Sequence, residues 1–260
     1  MNLLDVQRRA SENQLFKTGD FMSNTENYIE WDDYTELYQA YLDDPSEKVL
    51  STTVFPRILQ ILGKVSGKTV LDFGCSMGRF SRIMHDMGAM VTGYDLSPKA
   101  LEIAKSQDSK RNIEYLSRQE ELQENYYDIV ICIMVLLCNP KAQAFQLVND
   151  IYAYTKPGGI VCFVNTNVAT LGRSYQSFFR QLPQEQKEGS PYQNRIFTPK
   201  GYLVITDYFY SPEHLKQMFE NNKFRFFLTW YAKLTIKMPS KQTSIFVIFK
   251  ISKPIRRTFY

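Results

Sequence analysis

Residues 68–80 read KTVLDFGCSMGRF, and this stretch predicts a buried strand, a tight turn of small residues and the start of a helix. The strand half ends on Asp72, the turn runs from Gly74 to Gly78, and apolar residues then recur at helical spacing from Phe80. Such a turn leaves backbone N–H and C=O groups bare beside a pocket, with few side chains to block a ligand. An acid just before the glycines suits a ligand with a positive amino group rather than a pyrophosphate.

Strand and helix patterns alternate after this stretch. The predicted strands are residues 69–73, 90–94, 113–116, 128–134 and 160–164. This alternation predicts an α/β fold with a doubly wound, mostly parallel sheet in a three-layer α/β/α arrangement. The last two β-rich runs, residues 224–234 and 243–251, have no helix between them and predict an antiparallel hairpin at the sheet edge.

Composition limits the class of protein. A chain of 260 residues can form one large α/β domain with attachments, and its net charge of +4 is a mild basic excess. No apolar run approaches the roughly 20 residues of a membrane span, and the first residues lack a secretory core, so we expect a cytoplasmic protein. The cysteines predict small core residues in a reducing compartment rather than a metal site or disulfide frame. They are Cys75, Cys132, Cys138 and Cys162.

Five segments, in order, resemble the motifs of class I S-adenosylmethionine-dependent methyltransferases. They are VLDFGCSMG, GYDLSPKALEIA, YDIVICIMVLL, TKPGG and the final hairpin. The resemblance covers roughly residues 34–251, and Ser76 stands where the family's first motif has its middle glycine. It implies a seven-stranded sheet of order 3-2-1-4-5-7-6 whose last strand is antiparallel.

The resemblance also implies how the donor, S-adenosyl-L-methionine, is held. Asp72 and the backbone around Gly74 would hold its amino-acid end, Asp95 would accept both ribose hydroxyls, and Gln119 or Glu120 would meet the adenine. The set of expected donor contacts is Tyr41, Asp72, Phe73, Gly74, Cys75, Ser76, Gly78, Asp95, Leu96, Gln119, Glu120 and Val135. S-adenosyl-L-homocysteine would be the product.

The chain divides into three segments, the second of which carries an insertion. We expect residues 1–62 to form an arm and a helical cap, residues 63–251 the methyltransferase domain, and residues 252–260 a basic tail. Residues 166–205 interrupt the alternation with a polar stretch rich in aromatics. So long an irregular connection in a compact domain predicts a lid or binding loop.

The chain most resembles the small-molecule branch of the family, which includes N-methyltransferases of bacterial secondary metabolism. In that branch a cap tyrosine, here Tyr41, closes over the donor. An aromatic insertion suits a flat or apolar acceptor, so we expect transfer to N or O of a small aromatic or heterocyclic metabolite. In-line displacement can rely on proximity and orientation, without a dedicated base. The only candidates for a base or an acceptor contact are Tyr41, His214 and Tyr208.

Two other enzyme classes fit the sequence poorly, and two alternative functions stay open. A nicotinamide dehydrogenase would need G-x-G-x-x-G, which Ser76 and Arg79 break. Asn139-Pro140 lacks the rest of the signature of amino-methylating nucleic-acid enzymes and predicts a loop before a helix. A methyltransferase acting on protein or RNA, and a donor-binding partner protein without turnover, remain alternatives. We expect no nucleic-acid or membrane partner.

Overall fold

The computed structural model describes residues 27–44, 50–172, 178–233 and 244–255. Its α-helices are α1 (Asn27–Asp43), α2 (Phe55–Leu62), α3 (Arg79–Asp86), α4 (Pro98–Ser106), α5 (Lys141–Tyr154) and α6 (Pro212–Asn221). Its strands are β1 (Thr69–Phe73), β2 (Met90–Tyr94), β3 (Glu114–Leu116), β4 (Tyr127–Ile133), β5 (Thr155–Thr166), β6 (Phe178–Arg180), β7 (Pro191–Thr198), β8 (Gly201–Tyr208), β9 (Arg225–Lys233) and β10 (Ser244–Ser252). A π-helical turn (Leu50–Val54) leads into α2.

The central sheet has seven strands in the order β3-β2-β1-β4-β5-β10-β9. Strands β1 to β5 pair in parallel, and β10 pairs antiparallel with both β5 and β9. Counting only the strands of this sheet, the order is 3-2-1-4-5-7-6, so the predicted topology and the terminal hairpin are confirmed. Phe73 lies opposite Tyr94 in β2 and Cys132 in β4, which brings the carboxyl ends of the three strands together.

Each face of the sheet carries its own apolar core, because side chains alternate along a strand. Val70 and Ile131 face the core under α2 and α3. Leu71 and Val130 face the opposite core under α5 and α6. The result is the three-layer arrangement predicted from the alternation of strands and helices.

The insertion differs from the irregular connection expected for residues 166–205. Strands β6, β7 and β8 form a separate three-stranded antiparallel sheet. Tyr192, Asn194 and Ile196 of β7 are buried and alternate with more exposed neighbours. The polar Asn194 in the buried row breaks the apolar alternation that identifies a strand in sequence. Helix α1 packs on β7 and β8.

The chain ends depart in part from expectation. Within the expected basic tail, Lys253 is only 8% exposed, and its ammonium donates to Asn125 Oδ1 at 2.7 Å and Tyr152 O at 2.9 Å. Residues 1–26 and 45–49 of the expected arm and cap, and residues 256–260 of the expected tail, lie outside the described residues. In the part of the chain described, no helix is both long and apolar enough to cross a bilayer.

Candidate functional site

The turn after β1 is fastened to the end of β2. The backbone N–H groups of Gly74 and Cys75 both donate to Tyr94 O, at 2.7 and 2.9 Å. Ser76 has φ 49°, a left-handed conformation that a non-glycine residue rarely adopts. Its N–H donates to Asp95 Oδ2 at 2.8 Å, which holds the turn in this conformation.

Two positions of the turn leave no room for a side chain. A Cβ on Gly74 would lie 2.2 Å from Cγ2 of Val135, and Gly74 also has φ 77°. A Cβ on Gly78 would lie 2.2 Å from the hydroxyl oxygen of Tyr115, again at a positive φ of 70°. Gly78 therefore admits Tyr115 of β3 behind the turn, and it begins α3 from a left-handed conformation.

Asp95 follows β2 directly and is held by two backbone amides. Its Oδ2 accepts from Ser76 N, and its Oδ1 accepts from Ser97 N at 2.9 Å. A carboxylate oxygen can accept two hydrogen bonds, so each oxygen keeps capacity for a ligand hydroxyl. Burial raises the pKa of Asp95, the two amides oppose that shift, and the charge of Asp32 adds to it.

Asp72 lies behind the turn rather than on a cavity wall. It is 3% exposed, and its Oδ2 accepts a hydrogen bond from Ser81 Oγ at 2.6 Å. Burial raises the pKa of Asp72 to about 6, against the lowering effect of that hydrogen bond. Its expected contact with the amino group of the donor stays a prediction.

A cavity of about 350 Å³, here called the first cavity, opens where β1, β2 and β4 end. Seven of the expected donor contacts line it: Phe73, Gly74, Ser76, Asp95, Leu96, Gln119 and Val135. The other five are not part of its wall: Tyr41, Asp72, Cys75, Gly78 and Glu120. The open ends of parallel strands are the usual ligand position in a doubly wound sheet.

One end of the first cavity has a polar wall that the sequence reasoning only half identified. Gln119 donates from Nε2 to Asp150 Oδ2 at 2.9 Å, and Gln146 donates to Asp150 Oδ1 at 2.7 Å. Of the two alternatives for adenine, Gln119 lines the cavity and Glu120 is exposed. Asp150 was missed, although Gln143, Gln146 and Asp150 recur at helical spacing on α5 and line the cavity together.

Helix α1 covers the first cavity. Trp31, Thr35 and Tyr38, at helical spacing, line it from above. Asp32 fixes the helix in place, because it accepts hydrogen bonds from Ser97 Oγ and, at 3.4 Å, from the first-turn amide of α4 at Lys99. From sequence, Tyr41 of α1 was identified as a candidate, whereas Trp31 and Asp32 were missed.

A second cavity of about 70 Å³ adjoins the first, between α1 and the insertion sheet. Residues lining both cavities are Trp31, Tyr38, Met134 and Cys138. Tyr41, expected over the donor, lines the second cavity instead and stacks on Tyr38 with ring centroids 5.7 Å apart. Residues of the insertion therefore line a cavity, and the expected role of the insertion as a lid or binding loop stays a prediction.

The two remaining candidates for a base lie away from both cavities. His214 stacks on Tyr210 with ring centroids 6.2 Å apart, and its backbone N–H donates to Ser211 Oγ at the start of α6. Tyr208 packs against the core under α5 and α6. Neither residue lines the first or second cavity.

Comparison with known proteins agrees with this geometry. Residues 70–159 match the sequence model of a family described as a methyltransferase domain. The chain is 35% identical over 159 residues to a ubiquinone biosynthesis O-methyltransferase of Bordetella avium, covering 57% of this chain and 63% of that protein. A protein of the same name from Nitrosomonas europaea is 32% identical over 160 residues, with 58% and 65% covered. The chain thus spans less than two thirds of the length of these curated relatives.

Solved structures of similar fold share little sequence with this chain. One is the 1,6-didemethyltoxoflavin-N1-methyltransferase of Burkholderia thailandensis, solved with 1,6-didemethyltoxoflavin and S-adenosylhomocysteine bound, with a TM-score of 0.60 at 14% identity over 92% of this chain and 93% of that one. Another is the [4+2]-cyclase SpnF, with a TM-score of 0.61 at 14% identity over 92% and 100%. At this identity the likeness extends to the fold alone, and a fold hosts more than one chemistry.

Proposed function

We propose that this chain is a class I S-adenosylmethionine-dependent methyltransferase, which binds S-adenosyl-L-methionine in the first cavity and methylates a small molecule. One observation carries the proposal. The narrow turn at Gly74 and the amide-held carboxylate of Asp95 meet on the wall of a single cavity at the strand ends.

The residues of the first cavity fit the donor in shape and chemistry. Val135 packs directly against Gly74, which brings the end of β4 close to the turn, and both residues line the first cavity. Asp95 offers two oriented oxygens to a vicinal diol, and Gln119 with Asp150 offers a polar edge to the base. When bound, the sulfonium supplies an activated methyl group, and the protein residues hold it in place.

Three features support a small acceptor. The second cavity adjoins the first and lies between α1 and the insertion sheet. Its wall includes the aromatic side chains of Tyr38, Tyr41, Phe178 and Phe246. The curated relatives are named for O-methylation in ubiquinone biosynthesis, and the toxoflavin enzyme for N-methylation. We therefore propose an oxygen or nitrogen of a small aromatic or heterocyclic compound as the methylated atom.

Changing Asp95 to Ala tests the donor site. Titration calorimetry with S-adenosyl-L-homocysteine should show the affinity falling by about 10- to 100-fold, since a hydrogen bond to a charged group contributes about 1.5–3 kcal/mol. Asp86→Ala is the matched control, because Asp86 is an exposed aspartate at the end of α3, away from the cavity wall. Equal affinity in Asp95→Ala and the control would refute the ribose assignment.

Turnover is tested separately. The protein is incubated with methyl-labelled donor and a small-molecule extract, and labelled products are separated from labelled protein and RNA. Label in a small molecule supports the proposal, while label only in macromolecules supports the protein or RNA alternative. Donor binding without any labelled product would favour the partner-protein alternative.

A further inference from the structure

Three polar residues of the insertion sheet are buried together in the wall of the second cavity. Asp207 of β8 is fully buried, Asn194 of β7 is 4% exposed and Arg180 of β6 is 2% exposed. Asn194 Nδ2 donates to Asp207 Oδ2 at 3.0 Å. Buried charged side chains are rare in proteins unless they are paired or used.

Two polar atoms of this cluster have no internal partner. Within the described residues, Asn194 Oδ1 and Arg180 Nε lack any hydrogen-bond partner, although both atoms are inaccessible to solvent. Arg180 donates from Nη1 to Thr170 Oγ1 at 2.9 Å and lies over the ring of Phe178 at 4.3 Å. In the same part of the chain, no carboxylate lies within 4.0 Å of its guanidinium nitrogens. Unpaired buried polar groups destabilise a fold, so their retention in side chains that line a cavity indicates a ligand that supplies the partners once these side chains turn towards it.

The surroundings restrict the shape of that ligand. Trp31, Tyr38 and Phe178 contribute aromatic faces to the same wall, which favours a flat ring. The second cavity adjoins the first, because Met134 and Cys138 line both. A ring held here would therefore lie next to the proposed donor site.

We propose that Asp207, Asn194 and Arg180 recognise the polar edge of the methyl acceptor, and that the acceptor is a planar ring carrying an N–H or O–H donor beside a carbonyl oxygen. This inference rests on the proposed function, because it assigns the acceptor part of the same site. The carboxylate of Asp207 and Oδ1 of Asn194 accept hydrogen bonds from the ring N–H or O–H. Arg180 Nε–H donates to the neighbouring carbonyl oxygen.

A pair of small rings tests this recognition directly. 2-Pyridone carries an N–H beside a carbonyl, and N-methyl-2-pyridone carries a methyl group in place of that hydrogen, so the cluster variants below separate loss of the donor from added bulk. Saturation-transfer NMR measures the affinity of each ring for the protein, with and without S-adenosyl-L-homocysteine. We expect 2-pyridone to bind at least tenfold more tightly than its N-methyl analogue.

Two variants and one control assign the effect to the cluster. Asn194→Leu removes the unpaired acceptor, and Arg180→Lys keeps the charge but removes Nε–H; each should weaken 2-pyridone about tenfold. Gln193 lies beside Asn194 on β7 and its side chain is exposed, so Gln193→Leu should leave the affinity for 2-pyridone unchanged. The affinity for S-adenosyl-L-homocysteine should stay within twofold of wild type in all three, which also shows that they are folded.

The outcomes separate this inference from the proposed function. Equal affinity for the two rings, absence of 2-pyridone binding to the wild type, or wild-type binding by both cluster variants would overturn the inference, even where S-adenosyl-L-homocysteine binds. Failure of the wild type to bind S-adenosyl-L-homocysteine would instead overturn the proposed function, whatever the rings do.

Discussion

Replacing Asp207 by Asn should change how stability depends on pH. Burial raises the pKa of Asp207 from 3.8 to about 7, and the charge of Arg180 and hydrogen bonds from Asn194 and Cys138 only partly oppose it. Raising the pKa of a carboxyl from 3.8 to about 7 on folding lowers the free energy of unfolding of the ionised protein by roughly 4 kcal/mol. Asn keeps the size of the side chain and an oxygen that can accept from Asn194, so the substitution removes mainly the titration.

The sign of the effect follows from proton binding. Below pH 3.8 the carboxyl of Asp207 is neutral in the folded and the unfolded chain, so it does not affect the balance between them. As the pH rises from 3.8 to about 7, the unfolded chain releases this proton while the folded chain keeps it, and wild-type stability falls. Above pH 7 the carboxyl of Asp207 is ionised in both the folded and the unfolded chain, so the loss of wild-type stability no longer changes with pH. The neighbouring titratable groups, Arg180, Cys138 and Tyr192, are the same in both proteins.

Urea unfolding at pH 5, 6, 7 and 8 measures the free energy of unfolding of each protein. The difference between Asp207→Asn and wild type should grow by about 2–3 kcal/mol in favour of the variant between pH 5 and pH 8. Asp128→Asn is the control: the effect of burial is outweighed by hydrogen bonds from Thr69 and Lys156, which lower the pKa of Asp128, so its difference from wild type should be flat over this range. A flat difference for Asp207→Asn as well would refute the claim that burial raises the pKa of this carboxyl.

Two further substitutions test the turn and the chain end. Gly74→Ala should lower the unfolding midpoint and S-adenosyl-L-homocysteine affinity, because the new Cβ meets Val135. Gly63 also has a positive φ of 73°, with ψ −135°, but open space around it, so Gly63→Ala should show only backbone strain of about 1–3 kcal/mol. Matching losses in stability and affinity for the two variants would contradict the importance of the close approach. Lys253→Met should destabilise the fold by about 1–3 kcal/mol in urea unfolding, since it leaves Asn125 Oδ1 without its donor. An unchanged urea midpoint in Lys253→Met would show that the ammonium of Lys253 does not stabilise the fold.

Most of the fold could be predicted from local patterns in the sequence. The strand before Asp72 and the strand before Asp95 are each short, apolar and followed by turn residues, and the structure has both as β1 and β2. The carboxyl ends of parallel strands meet, so the position of Asp95 beside the turn also follows from sequence. The hairpin of β9 and β10 was predictable because no helix separates the two runs.

Residues brought in from distant elements were not predictable in the same way. Asp32 and Asp150 belong to helices whose orientation depends on tertiary packing, and nothing in their own neighbourhood identifies the cavity. Asn194 and Asp207 occupy buried positions of strands, where sequence patterns favour apolar residues. The insertion was therefore predicted to be a loop, although β6, β7 and β8 form a sheet. The buried cluster of Asp207, Asn194 and Arg180 was not predicted.

Helix α1 forms a partition shared by the two cavities, through Trp31 and Tyr38. Substitutions of Trp31 or Tyr38 should therefore change the affinities for the proposed donor and for the proposed acceptor together. Asn194 and Asp207, by contrast, belong to the wall of the second cavity alone. New acceptor preferences could arise by exchanging side chains of β7 and β8 while the nucleoside end of the site is left untouched.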